Sequence, residues 1–252
     1  MINILICGIG GKMGKTLLSA AKQDKDIDKI FGFDKFKNIE GVDVQVFDDF
    51  NSLPKDIHCV IDFSRPEALF GLLDYAKANK TPLVIATTGY SEEQQKLIAQ
   101  ASKDIPIFFS GNMSLGISVM CELVKIAASK LAEGFDIEIV ETHHNQKVDA
   151  PSGTAIMLAQ SVNQGLPRPR HLTFGRNSAN QKREKDEIGM HSLRGGTVVG
   201  EHTVSFFGED ETISITHTAQ SKTIFALGAL KAAKFLINKP NGLYGMKELL
   251  SL

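Results

Sequence analysis

Residues 2–14 read INILICGIGGKMG, and the N-terminal half of the chain is organised around them. The compact apolar run of residues 2–7 is typical of a buried parallel strand. Glycines follow at once, and residues 17–21 then place apolar side chains at helical spacing. The stretch therefore predicts a strand, a glycine-rich turn and a helix, the first unit of an α/β fold.

The glycine-rich turn predicts a phosphate site. Backbone N–H groups at a helix start attract anions, and glycines let the chain close on a pyrophosphate. The spacing is G-x-x-G-x-x-G through Gly8, Gly11 and Gly14, because Met13 stands where G-x-G-x-x-G would have its third glycine. A tight turn that binds no ligand is the alternative interpretation.

The next strand-like run, residues 30–33, ends in Asp34. A carboxylate at this point can accept hydrogen bonds from the adenosine ribose hydroxyls, as in NADH sites. Lys35 follows directly and can pair with the 2′-phosphate of NADPH. The two neighbours favour opposite cofactors, so the sequence predicts NADH and/or NADPH.

Strand-like and helical patterns continue to alternate. This alternation predicts a Rossmann-like doubly wound parallel sheet, whose ligands bind at the carboxyl ends of the strands. The further strand-like runs are residues 44–47, 58–61, 83–86 and 107–109, with helical patterns from Pro66 to about Lys80 and from Ser91 onward. Ser91 and Gln94 have the spacing of a capping box.

After Asn112 the pattern changes to that of a second, α+β domain with an open mixed sheet. A long amphipathic helix is predicted for residues 115–132 and a strand for residues 135–140. Alternation in residues 197–207 and 212–218 predicts an antiparallel hairpin. The segment 165–195 is polar and turn-rich, and its charged run 182–187 is interpreted as a solvated loop.

The last helical pattern, residues 224–237, is apolar nearly all round, which predicts a buried helix that packs back on the first domain. The predicted domains are therefore residues 1–112 with 223–252, and residues 113–222.

The composition argues against several classes of protein. The 252 residues carry a net charge of −1, which provides no field for nucleic acid or an anionic membrane. No apolar run is long enough to span a bilayer, and no basic segment precedes the first strand. Cys7, Cys59 and Cys121 lie far apart in apolar contexts and are interpreted as reduced and buried. We expect a cytoplasmic protein.

Residues 141–154, ETHHNQKVDAPSGT, concentrate the chemistry of the second domain. His143 and His144 can supply protons near neutral pH, and Lys147 can bind a carboxylate or donate a proton. The helix start at residues 153–154 can offer N–H groups and a hydroxyl to a carboxylate. The stretch predicts a dicarboxylate pocket with proton donors; structural histidines beside a plain helix cap are the alternative.

Other chemistries lack their patterns. There is no H-E-x-x-H or C-x-x-C, so a metal site is not predicted. There is no G-x-S-x-G elbow for serine hydrolysis, and no Walker A lysine follows the glycines. The remaining histidines are scattered along the sequence: His58, His171, His191, His202 and His217.

The run from Glu141 to Ala155 matches E-x-H-H-x-x-K-x-D-A-P-S-G-T-A without a break, and so resembles the dihydrodipicolinate reductase (4-hydroxy-tetrahydrodipicolinate reductase) family. Residues 8–14 resemble the family's cofactor loop, residues 187–196 and 200–202 resemble parts of its sheet domain, and residues 225–229 resemble its last long helix. The resemblance implies NAD(P)H-dependent reduction of 4-hydroxy-tetrahydrodipicolinate to tetrahydrodipicolinate with loss of water, in diaminopimelate and lysine biosynthesis. It also implies a homotetramer assembled through the sheet of the second domain.

The resemblance implies a role for individual residues. His143 would be the proton donor, His144 would contact substrate, and Lys147 would be a second proton donor or a carboxylate clamp. Gly153 and Thr154 would bind the substrate carboxylate. The implied cofactor-binding residues are Gly8, Ile9, Gly10, Gly11, Lys12, Met13, Asp34, Lys35, Ala86, Thr87, Thr88, Ser110, Gly111, Asn112 and Met113. The first domain would thus bind the dinucleotide, and the second would bind substrate and form the oligomer.

The sequence departs from the family pattern at three places expected to lie near the nicotinamide. Ala86 replaces the first glycine of G-T-T-G, Ser110-Gly111 replaces Ala-Pro, and Ser64 replaces a threonine. Two other functions stay open on the residues alone. One is another dicarboxylate imine or amino-acid dehydrogenase on the same fold, and the other is a non-catalytic cofactor sensor.

Overall fold

The computed structural model describes residues 1–178 and 180–252, and the chain forms two compact units. The first unit comprises Met1–Leu115 and Lys222–Leu252, and the second comprises Gly116–Ser221. Each unit has its own sheet and its own buried apolar side chains.

The described residues contain twelve strands and seven α-helices. In chain order they are β1 (Ile2–Cys7), α1 (Lys12–Lys22), β2 (Ile27–Phe33), β3 (Val46–Phe47), β4 (Cys59–Asp62), α2 (Leu69–Asn79), β5 (Leu83–Ile85), α3 (Glu92–Ala101), β6 (Pro106–Phe109), α4 (Leu115–Leu131), β7 (Asp136–His143), α5 (Gly153–Gly165), β8 (His171–Phe174), β9 (Glu187–Arg194), β10 (Gly200–Phe207), β11 (Thr212–Ala219), α6 (Thr223–Leu236), β12 (Gly242–Tyr244) and α7 (Met246–Leu250). Two short 3₁₀ helices, Phe50–Ser52 and Pro66–Ala68, complete the list.

The sheet of the first unit has the order β12-β6-β5-β4-β1-β2-β3, and all its pairings are parallel. From Ile4 to Cys7, the interior strand β1 is continuously apolar because both of its faces are covered. Ile4 and Ile6 pack on one face with α1 and α6, whereas Leu5 and Cys7 pack on the other with α2 and α3. The predicted Rossmann-like doubly wound sheet is confirmed.

The helix predicted at residues 224–237 is α6, and it packs in the core of the first unit. Gly228 lets α6 pack close to the backbone of Met113, because a Cβ at residue 228 would lie 1.8 Å from the Met113 carbonyl oxygen. The sequence analysis missed β12 and α7 beyond it. β12 has only three residues, too few for a periodic pattern, and its strand character comes from pairing with β6.

The second unit has a five-stranded sheet of order β11-β10-β7-β9-β8. β7 pairs antiparallel with β10 and parallel with β9, so the sheet is mixed, as predicted. Its inner face carries Ile137 and Ile139, which pack with Val124 of α4 and Leu158 of α5. The other face bears exposed side chains such as Leu193, which is 54% exposed.

The polar, turn-rich segment 165–195 contains two strands that no sequence pattern indicated, β8 and β9, and β9 buries Ile188 and Met190 against the helices. These apolar residues alternate with glycine and histidine, and pairing on both sides makes the strand. The strand predicted to end at Val140 continues to His143, so this histidine is a strand residue and not a loop residue.

All three cysteines are free thiols; Cys7 and Cys59 are buried, but Cys121 is only half-buried, contrary to expectation. Burial raises the pKa of the Cys7 and Cys59 thiols well above the usual value. No helix among the described residues has the length and apolar character required to cross a membrane.

Candidate active site

The glycine loop of the first unit depends on glycine at two positions. Gly8 has φ +75°, and an added Cβ there would lie 2.7 Å from the carbonyl oxygen of Phe63. A Cβ on Gly14 would lie 2.2 Å from the carbonyl oxygen of Gly8, so α1 packs directly on the loop. Helix α1 begins at Lys12, and its N-cap, Gly11, has no side chain to occupy the first N–H groups. These N–H groups suit a pyrophosphate.

Asp34 lies beside this loop. Its Oδ2 accepts a hydrogen bond from the backbone N–H of Gly10 at 2.9 Å. A Cβ on Gly10 would come within 3.0 Å of the same oxygen, so the glycine allows the approach. The strand end that carries Asp34 and Lys35 and the predicted phosphate loop are therefore brought together, as a ribose next to a pyrophosphate requires.

A cleft of about 960 Å³ opens at this edge of the sheet. Its walls come from the segments after β1, β2 and β4, and they include Asp34 and Lys35. Arg65, which follows β4, also lines the cleft, as do Phe36 and Ile39, which no sequence pattern indicated. Phe36 is 65% exposed, an unusual state for a large apolar ring; no spacing motif marks it.

The other two predicted cofactor loops follow β5 and β6. They share the carboxyl edge of the parallel sheet, although residues 86–88 and 110–113, all described, do not line the cleft. The hydroxyl of Ser110 donates to the carbonyl oxygen of Asn112 at 2.7 Å, so this departure from the family pattern closes the loop on itself. A Cβ on Gly111 would lie 3.6 Å from Thr88, an ordinary contact, so a larger residue also fits there.

The carboxyl group of Asp62 is buried near the carboxyl ends of these strands. Asp62, at the end of β4, accepts hydrogen bonds from the hydroxyls of Ser64 and Tyr90. Burial raises the pKa of Asp62, although these donors oppose the rise. Because a threonine hydroxyl could donate in the same way, Ser64 preserves the contact despite departing from the family pattern.

In the second unit, the candidate site is built around the carboxylate of Glu141. Glu141 lies on the inner face of β7, and its side chain is buried. Arg194 of β9 binds both carboxylate oxygens, Nη2 to Oε1 at 2.8 Å and Nη1 to Oε2 at 3.0 Å. Nδ1 of His143 contacts Oε2, and the backbone N–H of Ser152 donates to Oε1 at 3.3 Å. Neither Glu141 nor Arg194 was assigned a role from the sequence.

The charges in this cluster set two protonation states. Burial raises the pKa of Glu141, but hydrogen bonds from Arg194, Ser192 and His143 outweigh it and hold the pKa at about 2. Burial lowers the pKa of His143, and the charges of Lys147 and Arg194 add to this against the opposing effect of Glu141. Glu141 is therefore ionised and His143 neutral at neutral pH when nothing is bound.

The residues after His143 form the predicted loop and helix start. Lys147 donates from Nζ to Asp149 Oδ1 at 2.7 Å, and His144 is half-buried. Helix α5 begins at Gly153, and the Ser152 hydroxyl accepts from the N–H of Ala155 at 3.2 Å, so Ser152 caps the helix. An added Cβ on Gly153 would meet no atom within 4 Å, so the helix start is open to a ligand.

His202, one of the scattered histidines, is brought to this cluster by β10. Its Nε2 lies 3.1 Å from Ser152 Oγ, and its ring centroid lies 5.1 Å from that of His143. Burial and the neighbouring His143 lower the pKa of His202 to about 4. Glu141, His143 and His202 together have the ligand types of a metal site. Arg194, however, already binds both oxygens of Glu141, and its positive charge opposes a second cation.

Family models match both parts of the chain. Residues 2–113 match the N-terminal domain of dihydrodipicolinate reductase, and residues 116–250 match its C-terminal domain. The chain belongs to the dihydrodipicolinate reductase family. As a member of this family, it is an NAD(P)H-dependent oxidoreductase.

Individual dihydrodipicolinate reductases align over nearly the whole chain. A 4-hydroxy-tetrahydrodipicolinate reductase from Caldanaerobacter subterraneus subsp. tengcongensis is 51% identical, covering 99% of this chain and 98% of its own. The enzyme of that name from Clostridium tetani is 46% identical, covering 100% and 98%. The fold also matches a dipicolinate-bound dihydrodipicolinate reductase from Paenisporosarcina sp. TG-14, with a TM-score of 0.81 at 24% identity and 98% coverage of both chains.

Proposed function

We propose that the protein reduces 4-hydroxy-tetrahydrodipicolinate to tetrahydrodipicolinate in diaminopimelate and lysine biosynthesis. One observation of the site carries the proposal: His143, the Lys147 loop and the open start of α5 all adjoin the ionised Glu141–Arg194 pair. The full-length relatives of that name support the choice of substrate.

The proposed reaction needs one hydride and one proton. The substrate's hydroxyl and one ring hydrogen leave as water, and a hydride and a proton are added to the ring. The reduced nicotinamide supplies the hydride when it is bound. In the proposal His143 delivers the proton, and Lys147 and the N–H groups at residues 153–154 hold the carboxylates, with His144 as a further substrate contact.

In the proposal, the negative charge of the substrate raises the pKa of His143, so that the imidazole becomes protonated. Without ligand, the pKa of His143 lies below its ordinary value. A bound dicarboxylate adds negative charge beside the imidazole and so raises its pKa. Substrate binding and proton uptake by His143 are then coupled, and the acid is charged only when a substrate is there to receive the proton.

The first unit would hold the cofactor. Gly8 to Met13 would bind the pyrophosphate at the start of α1, and Asp34 would accept hydrogen bonds from the adenosine ribose. Lys35 would pair with the 2′-phosphate of NADPH, which makes both cofactors usable. The loops at residues 86–88 and 110–113 would hold the nicotinamide end. In this proposal, residues 1–112 and 223–252 bind the dinucleotide, and residues 113–222 bind substrate and form the oligomer.

The outer face of the second sheet would join subunits into a homotetramer. This face carries hydroxyl pairs across β10 and β11, Thr203 to Thr216 at 3.0 Å and Ser205 to Ser214 at 2.8 Å, beside the exposed Leu193. Such a mixture of polar ladders and apolar side chains suits a sheet-to-sheet interface. Size-exclusion chromatography with light scattering should give four times the mass of the chain.

We place the enzyme in the cytoplasm, where reduced thiols and nicotinamide cofactors coexist.

A coupled assay tests the activity. Aspartate semialdehyde and pyruvate are condensed enzymatically, and oxidation of NADH or NADPH is followed at once by absorbance. We expect oxidation only when the condensation product is present. Oxidation or reduction with aspartate or another amino acid, but not with this product, would identify a different dehydrogenase. Cofactor binding without turnover of any of these compounds would identify a sensor.

A further inference from the structure

We propose that Glu141 and Arg194 are positioning residues for His143: the carboxylate fixes the imidazole with its proton on Nδ1, so that Nε2 exchanges the proton with substrate. This inference rests on the proposed function, because it concerns the acid of that reaction. It also makes a statement about the free protein, which can be measured without turnover.

The geometry of β7 brings the side chains of Glu141 and His143 together. Residues 141 and 143 are two apart on β7 and therefore point to the same face of the sheet. Nδ1 of His143 contacts Oε2 of Glu141. An ionised carboxylate only accepts hydrogen bonds, so Nδ1 must be the nitrogen that carries hydrogen in the neutral ring. Nε2 is then the basic nitrogen.

The environment of Nε2 is consistent with this assignment. Gly200 lies opposite His143, and an added Cβ there would be 3.0 Å from Nε2. Glycine thus keeps that side of the ring uncrowded. A side chain at this position would press on the nitrogen that the proposal assigns to proton transfer.

Arg194 holds the carboxylate in place and connects it to the loop. Its two terminal nitrogens bind the two oxygens of Glu141, and Nη2 also donates to the carbonyl oxygen of Asp149 at 2.7 Å. Asp149 is the residue whose side chain accepts from Lys147. A lysine in place of Arg194 has no planar fork and could not make these contacts together.

The charged and titratable groups that face His143 come from four places. They are Glu141 on its own strand, Arg194 on β9, His202 on β10 and Lys147 in the following loop. Of these described groups, Glu141 alone is negative. Replacing it with glutamine would leave the imidazole beside two cations and lower its pKa further.

The chain contains a matched control on the same strand. Glu138 lies on the opposite face of β7 and binds Arg176 through two bonds, of 2.7 and 2.9 Å. Nε2 of His191 lies 2.7 Å from Glu138 Oε2, so the same three residue types are repeated. Arg183 adds a further contact, from Nε to Glu138 Oε1 at 3.1 Å. Despite burial, Arg176, His191 and Arg183 hold the pKa of Glu138 at about 2, the value to which Glu141 is also lowered. Glu138→Gln therefore removes a comparable ion pair without touching His143.

The experiment compares wild type with Glu141→Gln and Glu138→Gln. Nitrogen-15 NMR of labelled histidines reports the tautomer and pKa of each ring in the free protein, with His143→Gln identifying the signal. The coupled assay gives kcat/KM against pH, and light scattering checks that each variant keeps its assembly. We expect the Nδ1–H tautomer for His143 in wild type. Glu141→Gln should lower the His143 pKa and reduce kcat about 10- to 100-fold, the range seen when the hydrogen-bond partner of a metal-binding histidine is removed.

Two results would overturn the inference. One is an Nε2–H tautomer of His143 in the wild type, which needs no variant to fold. The other is a Glu141→Gln pH profile that matches wild type or is displaced no more than that of Glu138→Gln. If the wild type does not turn over the substrate, the proposed function fails, while the NMR result still decides the positioning role.

Discussion

The carboxylate of Asp34 accepts a hydrogen bond from the backbone N–H of Gly10 at 2.9 Å, which ties the end of β2 to the glycine loop. The contact fixes Asp34 where an adenosine ribose would lie and leaves the neighbouring Lys35 to reach outward. Lys35 is exposed, and its Nζ lies 5.8 Å from the centre of the Phe36 ring. We therefore expect recognition of a 2′-phosphate to depend on Lys35 more than on Asp34.

We accordingly expect Lys35→Ala to weaken NADPH binding selectively. Loss of one charge-assisted phosphate contact should raise the Kd of NADPH by about tenfold and change that of NADH by less than about twofold. Titration by protein-to-nicotinamide fluorescence measures both constants. Lys37→Ala is the control, because Lys37 is a nearby exposed lysine that instead pairs with Asp48 at 2.8 Å. Equal losses for the two cofactors would contradict the assignment.

Gly14→Ala should destabilise the first unit. The new methyl group would lie 2.2 Å from the Gly8 oxygen and 2.6 Å from Cα of Ile9, and backbone atoms cannot move aside as a flexible side chain could. We expect a loss on the order of 1–3 kcal/mol or more in the free energy of unfolding. Denaturant unfolding without cofactor measures it. Gly11→Ala, whose Cβ would be 3.2 Å from the same oxygen, should lose much less.

Acid should destabilise the second unit partly through His202. Its pKa is about 4 in the folded chain and near 6.5 when unfolded, so between these values the unfolded state binds more protons. The stability is complete above pH 6.5 and falls as the pH drops toward 4, by on the order of 3 kcal/mol for this group. His202→Asn should flatten this part of the stability profile, whereas the exposed His171→Asn should not.

A second loss of stability should appear at lower pH in the wild type and in both histidine variants. The pKa values of Glu138 and Glu141 are lowered to about 2, so their contribution is present above about pH 4.5 and disappears as the pH falls toward 2. A His202→Asn variant that retained the full slope between pH 4 and 6.5 would show that other groups cause it.

Turnover should depend on His143. His143→Gln keeps a polar side chain of similar reach but cannot carry a proton to substrate, so kcat should fall by about 10²–10⁴-fold. Affinity for NADH should be nearly unchanged, since the proposed cofactor residues belong to the other unit. Steady-state kinetics and cofactor titration separate the two effects. Unchanged turnover would remove His143 from the mechanism.

Local patterns along the chain were enough to predict much of the first unit and the donor groups of the second. Continuous apolar runs predicted most of the parallel strands of the first unit, because a strand that is covered on both faces is largely apolar. The candidate donors His143, Lys147 and Gly153 lie within eleven consecutive residues, so their proximity needed no tertiary information.

Only the tertiary structure brought Arg194, Gly200 and His202 to the same place. They lie on β9 and β10, more than fifty residues after Glu141, and strand pairing alone makes them its neighbours. The same is true of β12, whose three residues become a strand by pairing with β6. Side-chain chemistry can be read along the chain, but which group holds His143 in a given protonation state depends on non-local pairing and on burial, which no local periodicity encodes.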